Sequence, residues 1–189
     1  MRIVGGRLRG RALVTPADQR IRPTSDRVRE AVFNILAHGI DDFALQGALV
    51  LDLFAGTGAL GLEALSRGAA SCLFVEEDAE ARGLIRDNIE AFGLTGVTRI
   101  YRRDATDLGD AGNREPFTLA FLDPPYGKGL GALAIASAMA GKWLAPGAVV
   151  VLEERADTTI TWPPGCAPFD RRAWGDTEVH FARAMPQIP

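Results

Sequence analysis

Cysteine is scarce in this 189-residue chain: Cys72 and Cys166 stand far apart, with no CxxC spacing and no histidine cluster beside them. That pattern argues against a disulfide framework and against a zinc site, so no metal is expected. Cys72, inside a predicted strand, reads as a packed, reduced thiol. No apolar stretch approaches the roughly 18 consecutive residues of a membrane span, and no apolar signal-like core follows the N-terminus. Repeats and low-complexity tracts are missing too. These absences lead to the expectation of a soluble, cytoplasmic protein with no membrane partner. A chain of this length fits one domain, and burying roughly 70% of its unfolded surface gives it a core that needs no staple.

Charge of one sign is also short overall, but unevenly so. Residues 1–30 carry eight arginines (Arg2, Arg7, Arg9, Arg11, Arg20, Arg22, Arg27, Arg29) against Asp18, Asp26 and Glu30, a local net of +5 in a chain whose formal net charge is −3, so the remainder carries −8. A basic segment on an acidic body suits one face meeting phosphate, since phosphate contacts supply most non-specific affinity for nucleic acid. Arginine's planar fork fits phosphate oxygens. The alternative reading is a solubilising tail.

From about residue 48 onward, strand patterns alternate with helical ones, which predicts an α/β domain with a mostly parallel sheet. Ahead of it, Ser25 or Thr24 can cap a helix whose apolar positions Val28, Ala31, Val32, Ile35 and Leu36 follow the 3.6-residue period. Strands are predicted at Ala48–Leu53, Ser71–Val75, Val97–Tyr101, Phe117–Leu122 and Ala148–Leu152. Helices are predicted at Ala59–Arg67, Asp78–Phe92 and Leu130–Leu144, with Gly68 and Gly93 as left-handed stops and Pro146-Gly147 as a turn. Thr158–Trp162, Phe169–Trp174 and Thr177–Phe181 read as closing strands, the last two an antiparallel hairpin turning at Gly175-Asp176.

The first strand runs into Leu51-Asp52-Leu53-Phe54-Ala55-Gly56-Thr57-Gly58-Ala59-Leu60-Gly61. GxGxxG is a weak signal by itself, because both a pyrophosphate and a ligand carboxylate can use glycine amides at a helix N-terminus. Two neighbours discriminate. Asp52, four residues before Gly56, places a carboxylate where a ligand ammonium group would need one. Glu76 ends the second strand 20 residues after Gly56, the spacing at which an acidic side chain accepts from ribose hydroxyls. Asp104, after the third strand, is placed to accept from an adenine amino group, although a surface aspartate reads nearly as well. The ligand these residues favour is S-adenosylmethionine rather than NAD.

The fourth predicted strand ends in Asp123-Pro124-Pro125-Tyr126. The exocyclic amine of a nucleobase is a poor nucleophile, its lone pair being delocalised into the ring. Asp123 and the Pro124 carbonyl can each accept one N–H and turn the lone pair toward an incoming methyl, while the prolines stiffen the corner. Asp123 can also take up the proton lost afterwards. Tyr126 offers a face on which an unstacked base can lie. Alone, the motif is also an ordinary proline turn with a packed tyrosine; after the glycine loop, in this order, it reads as a methyl-transfer site.

These residues resemble the RsmD family of bacterial 16S rRNA (guanine-N2)-methyltransferases. The resemblance runs nearly end to end: Arg2-Ile3-Val4-Gly5-Gly6, Arg22-Pro23-Thr24, Asp26-Arg27-Val28-Arg29-Glu30, Phe33-Asn34, the Leu51–Gly61 block, Val75-Glu76, Asn88, Asp123–Tyr126, Glu153 and Trp174-Gly175-Asp176-Thr177. It implies a Rossmann-like seven-stranded fold with a C-terminal antiparallel hairpin. It also implies S-adenosylmethionine as methyl donor, S-adenosylhomocysteine as product, and one guanosine N2 of 16S rRNA as acceptor, within an assembling or assembled small ribosomal subunit. Residues 1–24 would form a basic arm and residues 25–189 the methyltransferase domain.

Position by position, the resemblance assigns Asp52, Gly56 and Gly58 to the methionine part, Phe54 to the cofactor site, Glu76 to ribose, Asp104 to adenine, and Asp123, Pro124, Pro125 and Tyr126 to the target base. Thr24 and Arg22 would lie beside cofactor or RNA. Arg2, Arg7, Arg9 and Arg11 would contact RNA, the arm ordering on it. Thr57 stands where the family commonly has serine and Trp174 where tyrosine is common. Lys128, Glu153, Glu154 and His180 could line the base pocket or play ordinary packed and solvated roles. The rival functions are an adenine-N6 amino-methyltransferase acting on DNA or RNA, and a catalytically silent RNA-binding assembly factor. No insertion large enough for a separate DNA-recognition region follows Asp104 or Tyr126.

Overall fold

Short apolar runs broken by glycine and acidic residues build the central layer of the molecule. The computed structural model describes residues 1–17 and 24–186. Chain order is α1 (Asp26–His38), β1 (Leu49–Leu53), α2 (Ala59–Ser66), β2 (Ser71–Val75), α3 (Ala79–Phe92), β3 (Thr98–Tyr101), β4 (Phe117–Leu122), α4 (Leu130–Ala140), β5 (Leu144–Arg155), β6 (Cys166–Trp174) and β7 (Thr177–Ala184). The seven strands lie in the order β3-β2-β1-β4-β5-β7-β6. Pairs β1–β2, β2–β3, β1–β4 and β4–β5 are parallel, whereas β7 runs antiparallel to both β5 and β6. Strand order reverses between β1 and β4, and the ends of strands at such a switch point open a crevice.

Both faces of the sheet are covered, as parallel strands require. Alternation along β1 sends Val50 to a core shared with α1, α2, α3 and the N-terminal segment, while Leu51 and Leu53 join a second core with α4 and Trp143. Ser25 caps α1 by accepting from the Val28 amide at 3.2 Å, and Asp78 caps α3 by accepting from Ala81 at 2.8 Å. Phe33 of α1 packs on Phe121 of β4 with ring centroids 5.5 Å apart. That contact seats the middle of α1 against the end of β4.

Three expectations need correction. First, α4 stops at Ala140 and β5 begins at Leu144, so Pro146-Gly147 lies inside a strand rather than in a turn. Lys142 has φ of 61°, which ends the helical path, and buried Trp143 anchors to the Gly109 carbonyl at 2.8 Å. The register steps from Phe117–Leu144 to Leu119–Val149, so the Pro-Gly pair is accommodated as a bulge. Second, Thr158–Trp162 forms no strand; Ile160 and Trp162 instead pack partly buried against the second core. The hairpin at Gly175-Asp176 is as expected, with Trp174 pairing Thr177.

Third, Arg2–Arg11 does not await RNA to acquire a conformation. Arg2 bridges Ala12, the Ile3 amide donates to Arg11 O at 2.9 Å and the Gly10 amide to Ile3 O at 2.8 Å. Ile3, Leu8 and Leu13 are buried in the first core, which leaves Arg2, Arg7, Arg9 and Arg11 exposed. Fully buried Glu63 of α2 accepts the Val4 and Gly5 amides at 3.0 and 2.8 Å. Fully buried Arg29 lies 3.5 Å from Glu63 and donates to the Arg2 carbonyl. A buried charge is tolerated only when paired and hydrogen-bonded, and here the pairing is between α1, α2 and the N-terminal hairpin.

Candidate active site

A cleft of about 700 Å³ opens at the C-terminal ends of β1, β2 and β4. On its wall lie ten of the predicted residues: Thr24, Asp52, Phe54, Gly56, Glu76, Asp104, Asp123, Pro124, Pro125 and Tyr126. One continuous cavity thus contains both the glycine loop and the acidic proline corner. Pairing explains the closeness, because Leu53 of β1 stands opposite Leu122 of β4, so the two motifs leave adjacent strands at the same level.

Alternation turns Asp52 toward α2, where its Oδ2 accepts the Gly61 amide at 3.0 Å. Burial pushes its carboxyl up to about 8, opposed by that amide and reinforced by the charge of Glu76. Only glycine fits at position 61, since a Cβ there would come within 2.6 Å of Phe74 and the Cys72 sulfur. Gly58 caps α2 at φ 78° and sits behind the wall rather than on it, so it shapes the loop instead of touching the cavity. Phe54 holds φ of 56° without being glycine, a strained conformation of the kind that gathers at functional sites.

Glu76 does more than the spacing argument required. Its Oε2 accepts the Gly56 amide at 2.8 Å and its Oε1 the Asp78 amide at 3.0 Å, so it ties the loop after β1 to the end of β2. Each oxygen keeps a second lone pair for a ligand hydroxyl. Asp104 commits Oδ1 to the Thr106 amide and hydroxyl at 2.8 and 2.7 Å, and no described residue donates to Oδ2.

At the corner, Pro124 is buried and Asp123 and Tyr126 are partly exposed to the cleft. Burial raises the Asp123 carboxyl well above the usual range, and the nearby charges of Glu153 and Asp52 push the same way. The Thr24 hydroxyl lies 3.4 Å from Asp123 Oδ2 and 2.7 Å from Glu153 Oε2. The Tyr126 hydroxyl donates to Glu153 Oε1 at 2.6 Å; burial and that bond raise the phenol above its ordinary range.

Not every candidate residue reaches the site. Arg22 lies outside the described residues. Arg2, Arg7, Arg9 and Arg11 are on the hairpin surface, and Arg11 is engaged there, donating to Ala91 O at 2.8 Å and lying 5.1 Å over the Phe92 ring. Lys128 is exposed, Glu154 accepts the Gly127 amide at 3.0 Å, and His180 packs edge-on to Trp162. None of the three lines the cleft.

Two residues carry more than their sequence context suggested. Asn88 is fully buried on α3, accepting the Val14 amide at 2.7 Å and donating to Val14 O and Thr57 O at 3.2 and 3.4 Å, which joins the glycine loop to the N-terminal segment. Its signal was a polar residue amid Ile85, Ile89 and Phe92 on an apolar helix face. Glu153 is the other; it follows the apolar run of β5 as Asp52, Glu76 and Asp123 stand at the ends of β1, β2 and β4.

A family profile described as conserved hypothetical protein 95 matches residues 1–183. Ribosomal RNA small subunit methyltransferase D of Escherichia coli (strain K12) is 38% identical over 165 residues, spanning 87% of this chain and 79% of its own. Among solved structures, YhhF of Escherichia coli, assigned as a methyltransferase, superposes with a TM-score of 0.84 at 32% identity over 99% of each chain. An RNA methyltransferase of Salinibacter ruber in complex with S-adenosyl-L-homocysteine shares the fold at a TM-score of 0.65 and 16% identity, over 88% of this chain and 96% of its own. The fold is that of Rossmann-like S-adenosylmethionine-dependent methyltransferases, and the chain belongs to the conserved hypothetical protein 95 family, which is the RsmD family.

Proposed function

We propose that this protein methylates the exocyclic N2 of a guanosine in small-subunit 16S rRNA. The observation that carries the reading is the shared cleft: Asp52, Glu76 and Asp104 line it together with Asp123, Pro124 and Tyr126. S-adenosylmethionine would supply a methyl group made electrophilic by its sulfonium. The residues present fit that group, with a buried carboxylate for its ammonium, an acidic strand end for its ribose and an unpartnered Asp104 oxygen for its adenine amine.

The corner supplies the rest. Asp123 and the Pro124 carbonyl accept the two N–H bonds of the target amine and aim its lone pair, a gain from orientation rather than from new chemistry. A carboxylate with a raised affinity for protons is also suited to take the proton released after transfer. Tyr126 presents the ring on which the flipped base rests. Exposed Arg2, Arg7 and Arg9 on the N-terminal hairpin provide a phosphate-binding face, with residues 1–24 as the RNA-contacting arm.

No helix among the described residues is long and apolar enough to cross a membrane. The proposed location is the cytoplasm, where the small subunit is assembled. The deciding experiment incubates the protein and labelled cofactor with undermethylated small subunits, naked rRNA and DNA, then identifies the modified nucleoside by mass spectrometry. N2-methylguanosine in rRNA is the expected product. N6-methyladenosine would establish the adenine reading, and no transfer despite cofactor binding would establish a silent assembly factor.

A further inference from the structure

We propose that Glu153 is a positioning residue for base engagement: accepting at once from the Tyr126 phenol and the Thr24 hydroxyl, its carboxylate holds the Tyr126 ring in place and clasps the segment preceding α1 to the corner. Glu153 is 7% exposed and is not on the cleft wall, whereas both of its donors are. It therefore acts through them. Its two oxygens are each used once, Oε1 by Tyr126 at 2.6 Å and Oε2 by Thr24 at 2.7 Å. Hydrogen bonds to a carboxylate are shorter than neutral ones and roughly twice as strong, so the bond at the phenol oxygen holds the tip of the Tyr126 ring against swinging away, which packing of a half-exposed tyrosine alone does less well. The clasp also spans sequence: it connects residues 24, 126 and 153, and its bonds are far shorter than the 3.4 Å approach of Thr24 to Asp123.

The surroundings favour a geometric role. Beside the phenol and Glu153 stands Asp123 from the same corner, with the Thr177 hydroxyl of β7 on the phenol, while Asp52 of β1 and Glu154 of β5 act on Asp123; Val179, the strand partner of Glu153, is flanked by Glu178 and His180. A carboxylate placed beside other acids and engaged by two hydroxyls is costly to keep unless those bonds are used. Glutamine retains one acceptor oxygen but brings an NH2 donor in place of the other, so one of the two hydroxyls, each seated on its own oxygen, would face a donor.

The inference rests on the methyl-transfer reading of the corner, and its test separates the two. The chain has two tyrosines, so Tyr101→Phe leaves Tyr126 as the sole phenol to follow by Raman spectroscopy, in which the intensity ratio of the tyrosine doublet reports whether the hydroxyl is a strong hydrogen-bond donor. In that background Glu153→Gln is expected to move the ratio away from that of a strong donor, because the carboxylate that accepts the phenol O–H is gone. An unchanged ratio overturns the clasp. This measurement needs no turnover, so a protein inert toward every RNA would sink the proposed function and still leave the clasp decided.

With active protein, Glu153→Gln is expected to reduce kcat/KM for RNA about tenfold, the size of one strong hydrogen bond, while S-adenosylhomocysteine binds within about twofold of the parent. Tyr126→Phe should lose a similar factor, and the double variant no more than the worse single one. Losses that multiply would overturn the proposal. Should Glu153→Gln fail to fold, Thr24→Val and Tyr126→Phe carry the same cycle, since both hydroxyls serve one carboxylate.

Discussion

Glu76 accepts the amide of Gly56 at 2.8 Å, so the acidic residue ending β2 holds the shape of the loop that leaves β1. Cofactor contact and loop geometry are therefore vested in one side chain. Glu76→Ala is expected to weaken S-adenosylhomocysteine binding on the order of a hundredfold, about twice the free energy of one hydrogen bond to a charged group, because it removes the ribose acceptors and frees the loop together. Calorimetric titration checks this; a loss of only a few-fold would mean the loop keeps its shape without Glu76.

Asp52 makes both stability and affinity depend on pH. Its folded carboxyl titrates at about 8 against an ordinary 3.8, so between those values the folded state holds a proton the unfolded chain has released. Stability of the cofactor-free protein should fall as pH rises through that window, by up to a few kcal/mol, and Asp52→Asn should flatten the slope. Urea unfolding at pH 5 and pH 8 measures it. Binding a ligand ammonium requires the ionised carboxylate, so affinity for S-adenosylhomocysteine should rise on the order of tenfold between pH 6 and pH 7.5 in the parent and not in Asp52→Asn. A flat profile in the parent would remove Asp52 from ammonium recognition.

Asp123→Ala should abolish methyl transfer while leaving cofactor affinity within about threefold, since the cofactor-side carboxylates stay in place. Unaltered turnover would exclude Asp123 from the mechanism. Loss of cofactor binding to the same extent as activity would assign it to the other half of the cleft.

Glu63 neutralises buried Arg29 and accepts two amides of the N-terminal hairpin. Glu63→Ala is expected to destabilise the protein by roughly 3 kcal/mol, because Arg29 keeps only the part-exposed Asp26 carboxylate at 2.9 Å and the Val4 and Gly5 amides lose their acceptor. Chemical denaturation reads the loss, and protease cleavage within residues 1–14 should accelerate alongside it. A change under about 1 kcal/mol would show that water reaches Arg29 and replaces the pair.

Arg7 and Arg9 project from the hairpin, whereas Arg11 is engaged at the end of α3. Replacing Arg7 and Arg9 together by alanine should lower the slope of log affinity for RNA against log salt by roughly 1.4 to 1.8, because two phosphates are no longer neutralised. Arg11→Ala alone should change thermal stability more than the salt slope. An unaltered slope in the double variant would leave the hairpin as a solubilising surface.

Much of this site could be read from residue order. Asp52, Glu76 and Asp123 each stand at or just past the end of an apolar run of strand length, and strands of a parallel sheet bring such ends to one edge. Glu153 obeys the same rule, yet an acidic strand end facing a base, a cofactor or solvent looks alike in one dimension. The α4–β5 junction misled for a different reason: Pro146-Gly147 has turn chemistry, but sheet pairing absorbed it as a bulge once Trp143 was buried against Gly109. The apolar residues of the 1–14 hairpin follow no regular helix or strand period, and its docking depends on a carboxylate from position 63 that no local pattern points to.

What the chain determined unaided is periodicity and chemistry: which runs are strands, where the glycines permit a tight strand-to-helix passage, and which corner can grip an exocyclic amine. Those follow from interactions between residues a few positions apart. Tertiary structure alone decided that Thr24, Tyr126 and Glu153 share two hydrogen bonds, that Asp52 is buried deeply enough to hold its proton near neutral pH, and that basic residues 2–11 stand packed on α2. Burial and long-range pairing set the local dielectric and the partners of each charge, and neither quantity exists until distant segments have met.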